Sequence, residues 1–469
     1  MSSRTDLTCD FNRLYADAVG SMGLEESELE RFADRATVVH RAVFDAVPAD
    51  RPGFLRLPDQ LQAAQEIAAA VTADRRQFKN FVVLGIGGSA LGNTALQTAL
   101  NHPFYNFLPA NKRGGCPRIF VLDNIDPDLI AGLTEALDPA ETLFNVISKS
   151  GQTAETMAQF LYFIRLLSDR LGDEAADHMI ITTDATSGPL RAAADTLGCR
   201  SYAVPDGVGG RFTVLSPVGL ISAAYAGIDI EGLLQGAARM RERCQSASMM
   251  ENPALFYSAA HYLLNTVKKT NISVLFAYAQ RLKDLADWYR QLLAESLGKR
   301  RNLDGDEVSL GVTPVKALGV TDQHSQVQLY VEGPRDKAFT FLTVDSFAAQ
   351  VTIPSRGKIP EGQDYLAGST FNSLLDAELR GTELALQEAG RPSCRITFPK
   401  VTAETVGQFL LMMELHIAYS GLLYNVNAFD QPGVEAGKRA TFALMGRAGF
   451  EELRQRILAE KGRADRIMG

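Results

Sequence analysis

Residues 143–156 read Leu-Phe-Asn-Val-Ile-Ser-Lys-Ser-Gly-Gln-Thr-Ala-Glu-Thr, an apolar run that passes through a hydroxyl-rich turn into helix-forming residues. The run predicts a buried strand over 143–147, followed by a helix over 156–167. In the turn, hydroxyl groups and one lysine stand together, namely Ser148, Lys149, Ser150 and Thr153. A helix start carries unpaired N–H groups and a partial positive charge, so such a turn suits a dianionic phosphate. An ordinary Ser/Thr helix cap is the alternative, whereas a Walker-type nucleotide loop is absent from the sequence.

A glycine-rich turn, Gly-Ile-Gly-Gly-Ser-Ala-Leu-Gly at 85–92, follows a second predicted strand at 80–84. Its spacing is not a clean dinucleotide G-x-G-x-x-G, and Asp123 comes too late in the chain to bind a ribose. A tight strand–helix turn without a ligand is the alternative here.

These two segments resemble known phosphosugar-binding sequences. S-K-S-G-x-T-x-E-T at 148–156 resembles the phosphate loop of the SIS (sugar isomerase) fold, and 85–92 resembles the first glycine loop of glucose-6-phosphate isomerases. The resemblance implies that this loop lies against the sugar phosphate, with Ser89 in contact with the phosphate and Gly88 in contact with the substrate. Asn93 stands where family members often carry proline; it lies beyond the ligand-facing residues, so we expect no functional consequence.

Two further motifs extend the resemblance to the catalytic groups. G-G-R-F-x-V-L-S-P at 209–217 matches a signature of this family, which implies that Arg211 stabilises the charge of an enediolate intermediate. E-S-x-G-K at 295–299 resembles the segment that carries the general base, which implies that Glu295 moves a proton between C1 and C2. Gln291 lies four residues earlier, on the same helical face, and is expected to contact the substrate. Taken alone, each of these side chains would be read as a surface residue.

The last two motifs imply ring opening. D-x-H-S-x-x-Q at 322–328 resembles the block whose histidine helps to open the sugar ring, here His324. F-D-Q-P-G-V-E-x-G-K at 429–438 resembles the segment whose lysine acts at the ring oxygen, here Lys438. In the family the neighbouring subunit lends this histidine, so the resemblance implies a homodimer with shared active sites.

Alternating strands and helices predict the architecture. We expect two tandem SIS-type, doubly wound parallel sheets of α/β class, each in three α/β/α layers, at 76–245 and 246–400. A helical arm over 1–75 and C-terminal helices over 401–469, carrying Lys438, would flank them. Strands are predicted at 80–84, 119–122, 143–147, 178–182, 201–204, 272–277, 326–331, 338–344 and 395–398.

Composition narrows the class of protein. A chain of 469 residues is too long for one compact core, so more than one domain is expected. A net charge of −8 without basic runs argues against nucleic acid or anionic membrane partners. The five cysteines are scattered without metal-ligand spacing, which predicts reduced thiols rather than a disulfide frame or a zinc site. The mechanism that the resemblance implies is acid–base, without a metal or a redox cofactor. The polar N-terminus lacks a signal peptide, and the apolar region at 409–424 contains Glu414 and His416, so we expect a buried helix and a cytoplasmic protein.

These features together predict an isomerase of glucose 6-phosphate and fructose 6-phosphate that uses acid–base chemistry. Two alternatives stay open at this point. A related isomerase could prefer mannose 6-phosphate or another phosphosugar, because the sequence does not show which hydroxyls are tested. A SIS-type phosphosugar sensor would keep the 148–153 loop but would not need Glu295, Arg211, His324 and Lys438 together.

Overall fold

The computed structural model describes residues 5–45, 52–355, 357 and 359–459, which form two compact units, Met1–Ala428 and Phe429–Gly469. The remaining residues of the predicted N- and C-terminal extensions lie outside this description. In chain order the strands are β1 (Thr8–Asp10), β2 (Asn80–Leu84), β3 (Arg118–Leu122), β4 (Thr142–Ile147), β5 (Met179–Thr183), β6 (Arg200–Ala203), β7 (Ile272–Ala277), β8 (Lys299–Arg301), β9 (Glu307–Leu310), β10 (Thr313–Leu318), β11 (Lys337–Val344) and β12 (Ser393–Phe398).

Sixteen α-helices accompany these strands in the described residues. They are α1 (Ala16–Val19), α2 (Glu26–Phe44), α3 (Leu61–Asp74), α4 (Leu91–Leu100), α5 (Pro127–Ala136), α6 (Ala154–Leu171), α7 (Pro189–Leu197), α8 (Pro217–Tyr225), α9 (Ile230–Arg243), α10 (Pro253–Thr266), α11 (Lys283–Leu297), α12 (Val327–Glu332), α13 (Phe371–Glu388), α14 (Ala403–Leu423), α15 (Glu435–Leu444) and α16 (Glu451–Ala459).

The first unit contains two five-stranded sheets with related strand orders. The first sheet is parallel throughout, in the order β3-β2-β4-β5-β6. The second runs β10-β7-β11-β12 in parallel, and β1 pairs with β12 antiparallel at its edge. Counted along the chain within each sheet, the parallel strands follow 2-1-3-4-5 and 2-1-3-4. Each sheet therefore reverses its winding direction between its first and third strands, which is the switch point of a doubly wound fold.

Alternate side chains of the strands pack into different cores. In β2, Val82 and Leu84 join a core with α6 and α7, whereas Phe81 and Val83 face the helices on the other side. In β7, Val274 and Phe276 pack towards α13, whereas Leu275 and Ala277 face inward. The inward faces of both sheets share one large core with α4, α8, α10, α11 and α14. Helices therefore cover both faces of each sheet, as the α/β/α prediction requires.

The helix α14 is the centre of the first unit. It is the one helix of the described residues long and apolar enough to cross a bilayer by length and composition, yet 94% of its apolar window is buried inside the protein. The prediction of a buried helix here is confirmed. Its backbone meets that of α9 closely, since a Cβ atom built on Gly407 would lie 2.0 Å from the Leu233 carbonyl oxygen and one on Gly236 would lie 1.9 Å from that of Glu404.

Two sequence predictions were wrong. Residues 326–331 were expected to form a strand, but Val327–Glu332 is the helix α12, with Val327, Tyr330 and Val331 packed on one core at helical spacing. The N-terminal residues were expected to be helical throughout, but Thr8–Asp10 forms β1 on the edge of the second sheet. The strand β10 and the helix α13 were not predicted. The domain boundaries near 75, 245 and 400 stay a prediction.

The glycine contact between α9 and α14 gives a stability test. Gly407→Ala should lower the free energy of unfolding by about 1–3 kcal/mol, because its methyl group meets backbone that cannot rotate away. The matched control is Gly381→Ala in α13, where a Cβ atom meets nothing within 4 Å. That variant should instead gain about 0.5–1 kcal/mol from helix propensity.

Calorimetric melting temperatures of both variants check the sign of each effect. Equal shifts in Gly407→Ala and Gly381→Ala would contradict close backbone packing of α9 on α14.

Candidate active site

The predicted glycine and phosphate loops leave neighbouring strands at the switch point of the first sheet. The loop at 85–89 follows β2, and the loop at 148–153 follows β4, which pairs directly with β2. In open α/β sheets, ligands bind at the carboxyl ends of the strands where the winding direction changes. The two loops that the sequence singles out are therefore in the position where this architecture binds ligands.

The 148–153 loop leaves the start of α6 open. Thr153 is the N-cap residue of α6, but its side chain accepts no hydrogen bond from the first turn. Its hydroxyl instead lies 3.0 Å from Oγ of the buried Ser148. The turn between them is made by Gly151, with φ of +62°, and the Ser150 hydroxyl accepts from the Gln152 amide at 3.2 Å. The alternative of an ordinary threonine cap is thus not what this loop forms.

A third loop, at 207–211, joins the first two. A Cβ atom on Gly88 would lie only 2.2 Å from the Gly210 carbonyl oxygen, so the glycine at 88 permits direct backbone packing between these loops. Lys149 donates from Nζ to the Val208 carbonyl oxygen at 2.6 Å. The 207–211 loop is therefore fixed to both of its neighbours.

Arg211 extends from this loop into the interior and is only 3% exposed. It donates from Nε to Oγ of Ser296 at 2.6 Å, and it also donates to the Ala428 carbonyl oxygen. Its NH1 atom lies 3.6 Å from Oε1 of Glu295. A buried guanidinium needs hydrogen-bond partners, and these contacts hold its charge beside the predicted base.

Glu295 and Gln291 face the same space from the last turns of α11. Gln291 donates from Nε2 to Oε2 of Glu295 at 3.0 Å. A Cβ atom on Gly87, which has φ of +56°, would lie 3.0 Å from that Nε2 atom, so Gln291 also meets the glycine loop. The Glu295 side chain is 25% exposed, against 2% for Arg211. The Glu295 carboxylate is therefore partly accessible, whereas the guanidinium beside it is buried.

Three supporting residues were not singled out from the sequence as partners. Ser296 positions Arg211, and the Val208 carbonyl positions Lys149. Asn93 is fully buried, donates from Nδ2 to the Ser89 carbonyl oxygen at 2.8 Å, and accepts from the Ser222 hydroxyl. Ser296 stands inside the E-S-x-G-K motif, whereas Asn93 was noted only as a departure from the family's proline, and its contact with Ser89 was not expected.

His324 stands apart from these groups in the described chain. It ends a short 3-10 turn, Thr321–Gln323, after β10 at the edge of the second sheet, and it is exposed. Within the described residues its ring makes no hydrogen bond or ion pair, with Glu295 or any other side chain. The described chain therefore shows no hydrogen bond or ion pair between His324 and the predicted base.

The turn that carries His324 is nevertheless fixed by its neighbours. Asp322 accepts from the Leu318 amide and the Ser325 hydroxyl, each at 2.7 Å. Burial alone would raise the pKa of Asp322, but these hydrogen bonds outweigh it and hold the pKa below its usual value. Gln323 accepts from the Tyr278 hydroxyl and donates to Glu378, each at 2.8 Å. The histidine is thus presented outward on a braced turn.

Lys438 belongs to the second compact unit, Phe429–Gly469. It lies in α15, is exposed, and donates from Nζ to Oε1 of Glu435 at 2.8 Å. Within this unit the Phe442 and Phe450 rings pack edge to face with centroids 5.8 Å apart. The lysine is therefore displayed on a helix whose own contacts are local.

Among the described residues no group of three or more His, Cys, Asp and Glu side chains is arranged to hold a metal ion. All five cysteines are free thiols, four of them buried. The expectation of a metal-free and cofactor-free mechanism stays a prediction.

Comparison with known proteins gives a consistent picture. The model of the family described as phosphoglucose isomerase matches residues 58–447. A glucose-6-phosphate isomerase of Carboxydothermus hydrogenoformans is 46% identical over 97% of this chain and 98% of its own length. One from Rubrobacter xylanophilus is 44% identical over 95% of this chain and 99% of its own.

Solved structures agree in fold. A hypothetical protein from Thermus thermophilus superposes with a TM-score of 0.81 at 35% identity, covering 97% of this chain and 100% of its own. A glucose-6-phosphate isomerase from Chlamydia trachomatis gives a TM-score of 0.74 at 25% identity over 90% of this chain and 80% of its own. The family model covers most of the chain, and the relatives are this similar over nearly its full length. The chain therefore belongs to the phosphoglucose isomerase family.

Proposed function

We propose that this protein interconverts glucose 6-phosphate and fructose 6-phosphate. The observation that carries the proposal is the pairing of Glu295 with the buried Arg211, 3.6 Å apart, beside two loops at a ligand-binding switch point. Family membership and the printed names of full-length relatives support the same reaction.

In this scheme the substrate phosphate binds at the start of α6. Ser148, Ser150 and Thr153 donate from their hydroxyl groups, and the open N–H groups of the first turn add further donors. Lys149 and Ser89 lie at the edge of the same space, with Gly88 allowing close approach of backbone. The phosphate thereby fixes one end of the sugar, so that C1 and C2 reach Gln291 and Glu295.

The chemical steps follow from the remaining groups. His324 and Lys438 move protons at the ring oxygen and the C1 hydroxyl, which opens the ring. Glu295 then removes the C2 proton of the aldose and returns it to C1, through a cis-enediolate. Arg211 offsets the negative charge that develops on the oxygens, an effect of about 3 kcal/mol per donor at comparable sites. The scheme needs no metal, because protein cations supply the positive charge.

Three finer statements belong to the same proposal. The protein acts as a homodimer in the cytoplasm, and its partner subunit supplies His324 to each site. The exposed position of His324, which forms no hydrogen bond or ion pair with Glu295 in the described residues, supports sharing between subunits. The division into SIS-type domains at 76–245 and 246–400, with flanking extensions, is supported by the repeated strand order.

A coupled assay of fructose 6-phosphate conversion by the purified protein tests the proposal. Conversion of mannose 6-phosphate measured alongside distinguishes the related isomerase. Binding of fructose 6-phosphate without turnover would indicate the phosphosugar sensor instead and would contradict the proposal.

Substitutions at the two ends of the site should separate chemistry from binding. Glu295→Gln keeps the shape of the side chain but removes its basicity, so kcat should fall by about 10²–10⁴-fold with little change in KM. Ser150→Ala removes one phosphate donor and should mainly raise KM. Steady-state kinetics in the coupled assay measure both effects.

The control is Glu135→Gln on α5, an exposed glutamate with no hydrogen bond or ion pair to these loops in the described residues, which should leave both constants unchanged. Near-normal kcat in Glu295→Gln would rule out this residue as the base.

Exhaustive chelation should leave kcat unchanged, because Arg211 supplies the charge that a divalent ion would otherwise provide. The measurement compares protein dialysed against a chelator with untreated protein. A rate that is lost on chelation and restored by zinc, iron or manganese would contradict the proposed mechanism.

Subunit mixing tests the shared site. Glu295→Gln and His324→Ala dimers are each expected to be inactive, but a heterodimer of the two holds one site with both defects and one with neither. Dissociation and reassociation of the mixture should therefore restore activity. The control pairs Glu295→Gln with Lys438→Ala, which should stay inactive because every site keeps one defect when Lys438 acts within its own chain. If heterodimers of Glu295→Gln and His324→Ala subunits were shown to form and yet stayed inactive, His324 would not be shared.

A further inference from the structure

The second sheet has a switch point of its own, and a cavity opens there. The winding direction changes between β7 and β11, just as it changes between β2 and β4 in the first sheet. A cavity of about 650 Å³ is lined by residues that follow β7, β11 and β12, among them Arg281, Ser346 and Lys400. Its volume falls in the range of small-molecule sites, and its position is the one that this architecture favours for ligands.

The charge of this cavity is positive. Arg281, Lys400 and His102 line it, and no aspartate or glutamate is among its lining residues. Arg281 is half-buried, and its guanidinium forms no hydrogen bond or ion pair with any residue that the structure describes. Partly removing a guanidinium from water without a partner costs free energy. In a chain of net charge −8, two cations that face one cavity without a carboxylate in its lining indicate an anionic ligand.

A second cavity continues the first on the other side of Arg281. It measures about 420 Å³ and shares His102, Gln280 and Arg281 with its neighbour. It adds Lys283, which likewise has no ion-pair partner in the described residues, and the exposed ring of Phe104. The guanidinium of Arg281 thus lies where the two cavities meet, with cationic groups on both sides.

This cavity is remote from Glu295. Arg281 precedes α11 and Glu295 lies near its end, so the helix holds them about 20 Å apart at a rise of 1.5 Å per residue. A molecule bound at Arg281 therefore does not reach the base of its own chain. Both positions are nevertheless joined to one rigid helix within the same compact unit.

We propose that the switch point of the second sheet is a separate binding site for a small phosphate-bearing metabolite, with the phosphate held by Arg281 and Lys400. The ligand class is a phosphomonoester, and its source is a sugar phosphate or a nucleotide.

Isothermal titration of the full-length protein with sorbitol 6-phosphate, which has no carbonyl group to isomerise, counts the sites. The wild-type protein should bind two molecules per chain. In Arg281→Ala/Lys400→Ala one site should remain, and the affinity of the second site should fall at least tenfold. This variant should keep normal isomerase kcat and KM, which also shows that it is folded. Ser148→Ala/Ser150→Ala should lose the other site. Titration with AMP distinguishes the two sources, because a nucleotide should occupy only the Arg281 site.

The control is Arg170→Ala, an exposed arginine of α6 outside both sites, which should keep two sites. A single wild-type site that survives in Arg281→Ala/Lys400→Ala, an unchanged second site in that variant, or equal loss in Arg170→Ala would each overturn the proposal. None of these outcomes depends on the isomerase reaction, so failure of this inference and failure of the proposed function are distinguishable.

Discussion

The candidate active site depends on one buried cation. Burying a guanidinium costs several kcal/mol unless its donors are paired, so the groups around Arg211 must be held where they can accept its hydrogen bonds. Its partners come from the end of α11, through Ser296 and Glu295, and from the end of the first compact unit, through Ala428. Through its own loop it also reaches Gly88 and Lys149. The 207–211 loop and its arginine thereby join the predicted base, the glycine loop and the 148–153 loop. In the proposed mechanism, the same charge stabilises the anionic intermediate.

The repeated strand order explains where sites form. Two sheets with the same winding each create a crevice at the carboxyl ends of their first and third strands. In the first sheet the crevice is bordered by hydroxyl groups and an open helix start, whereas in the second it is bordered by Arg281 and Lys400. The helices between the sheets, α11 and α14 among them, form a common core, so the two crevices belong to one compact unit.

The buried parallel strands could be predicted from the local sequence alone. The apolar runs of β2, β4 and β7 are buried on both faces, which makes them recognisable without tertiary information. The alternation at 326–331 misled because six residues satisfy both strand and helix patterns, and packing decided for the helix α12. The strand β1 could not be predicted, since its partner β12 lies more than 380 residues away in the chain and only the folded sheet provides it.

The candidate site divides in the same way. The strand–turn–helix around 148–153 was predictable because the strand, the hydroxyl groups and the helix start are contiguous in the sequence. That Arg211 approaches Glu295 follows only from tertiary packing, as do the supporting contacts of Ser296 and Asn93. The roles of His324 and Lys438 rest on family resemblance. His324 forms no hydrogen bond or ion pair with Glu295 in the described residues, and Lys438 belongs to the other compact unit.

The central claim is that the switch point of the first sheet binds the substrate phosphate beside Glu295 and Arg211. A crystal structure of the protein with sorbitol 6-phosphate bound tests it most directly. We predict a phosphate group at the start of α6, with its oxygens about 2.7 Å from the hydroxyls of Ser148, Ser150 and Thr153, and C1 and C2 facing Glu295. Full occupancy of the ligand elsewhere, with the 148–153 loop empty, would contradict the account.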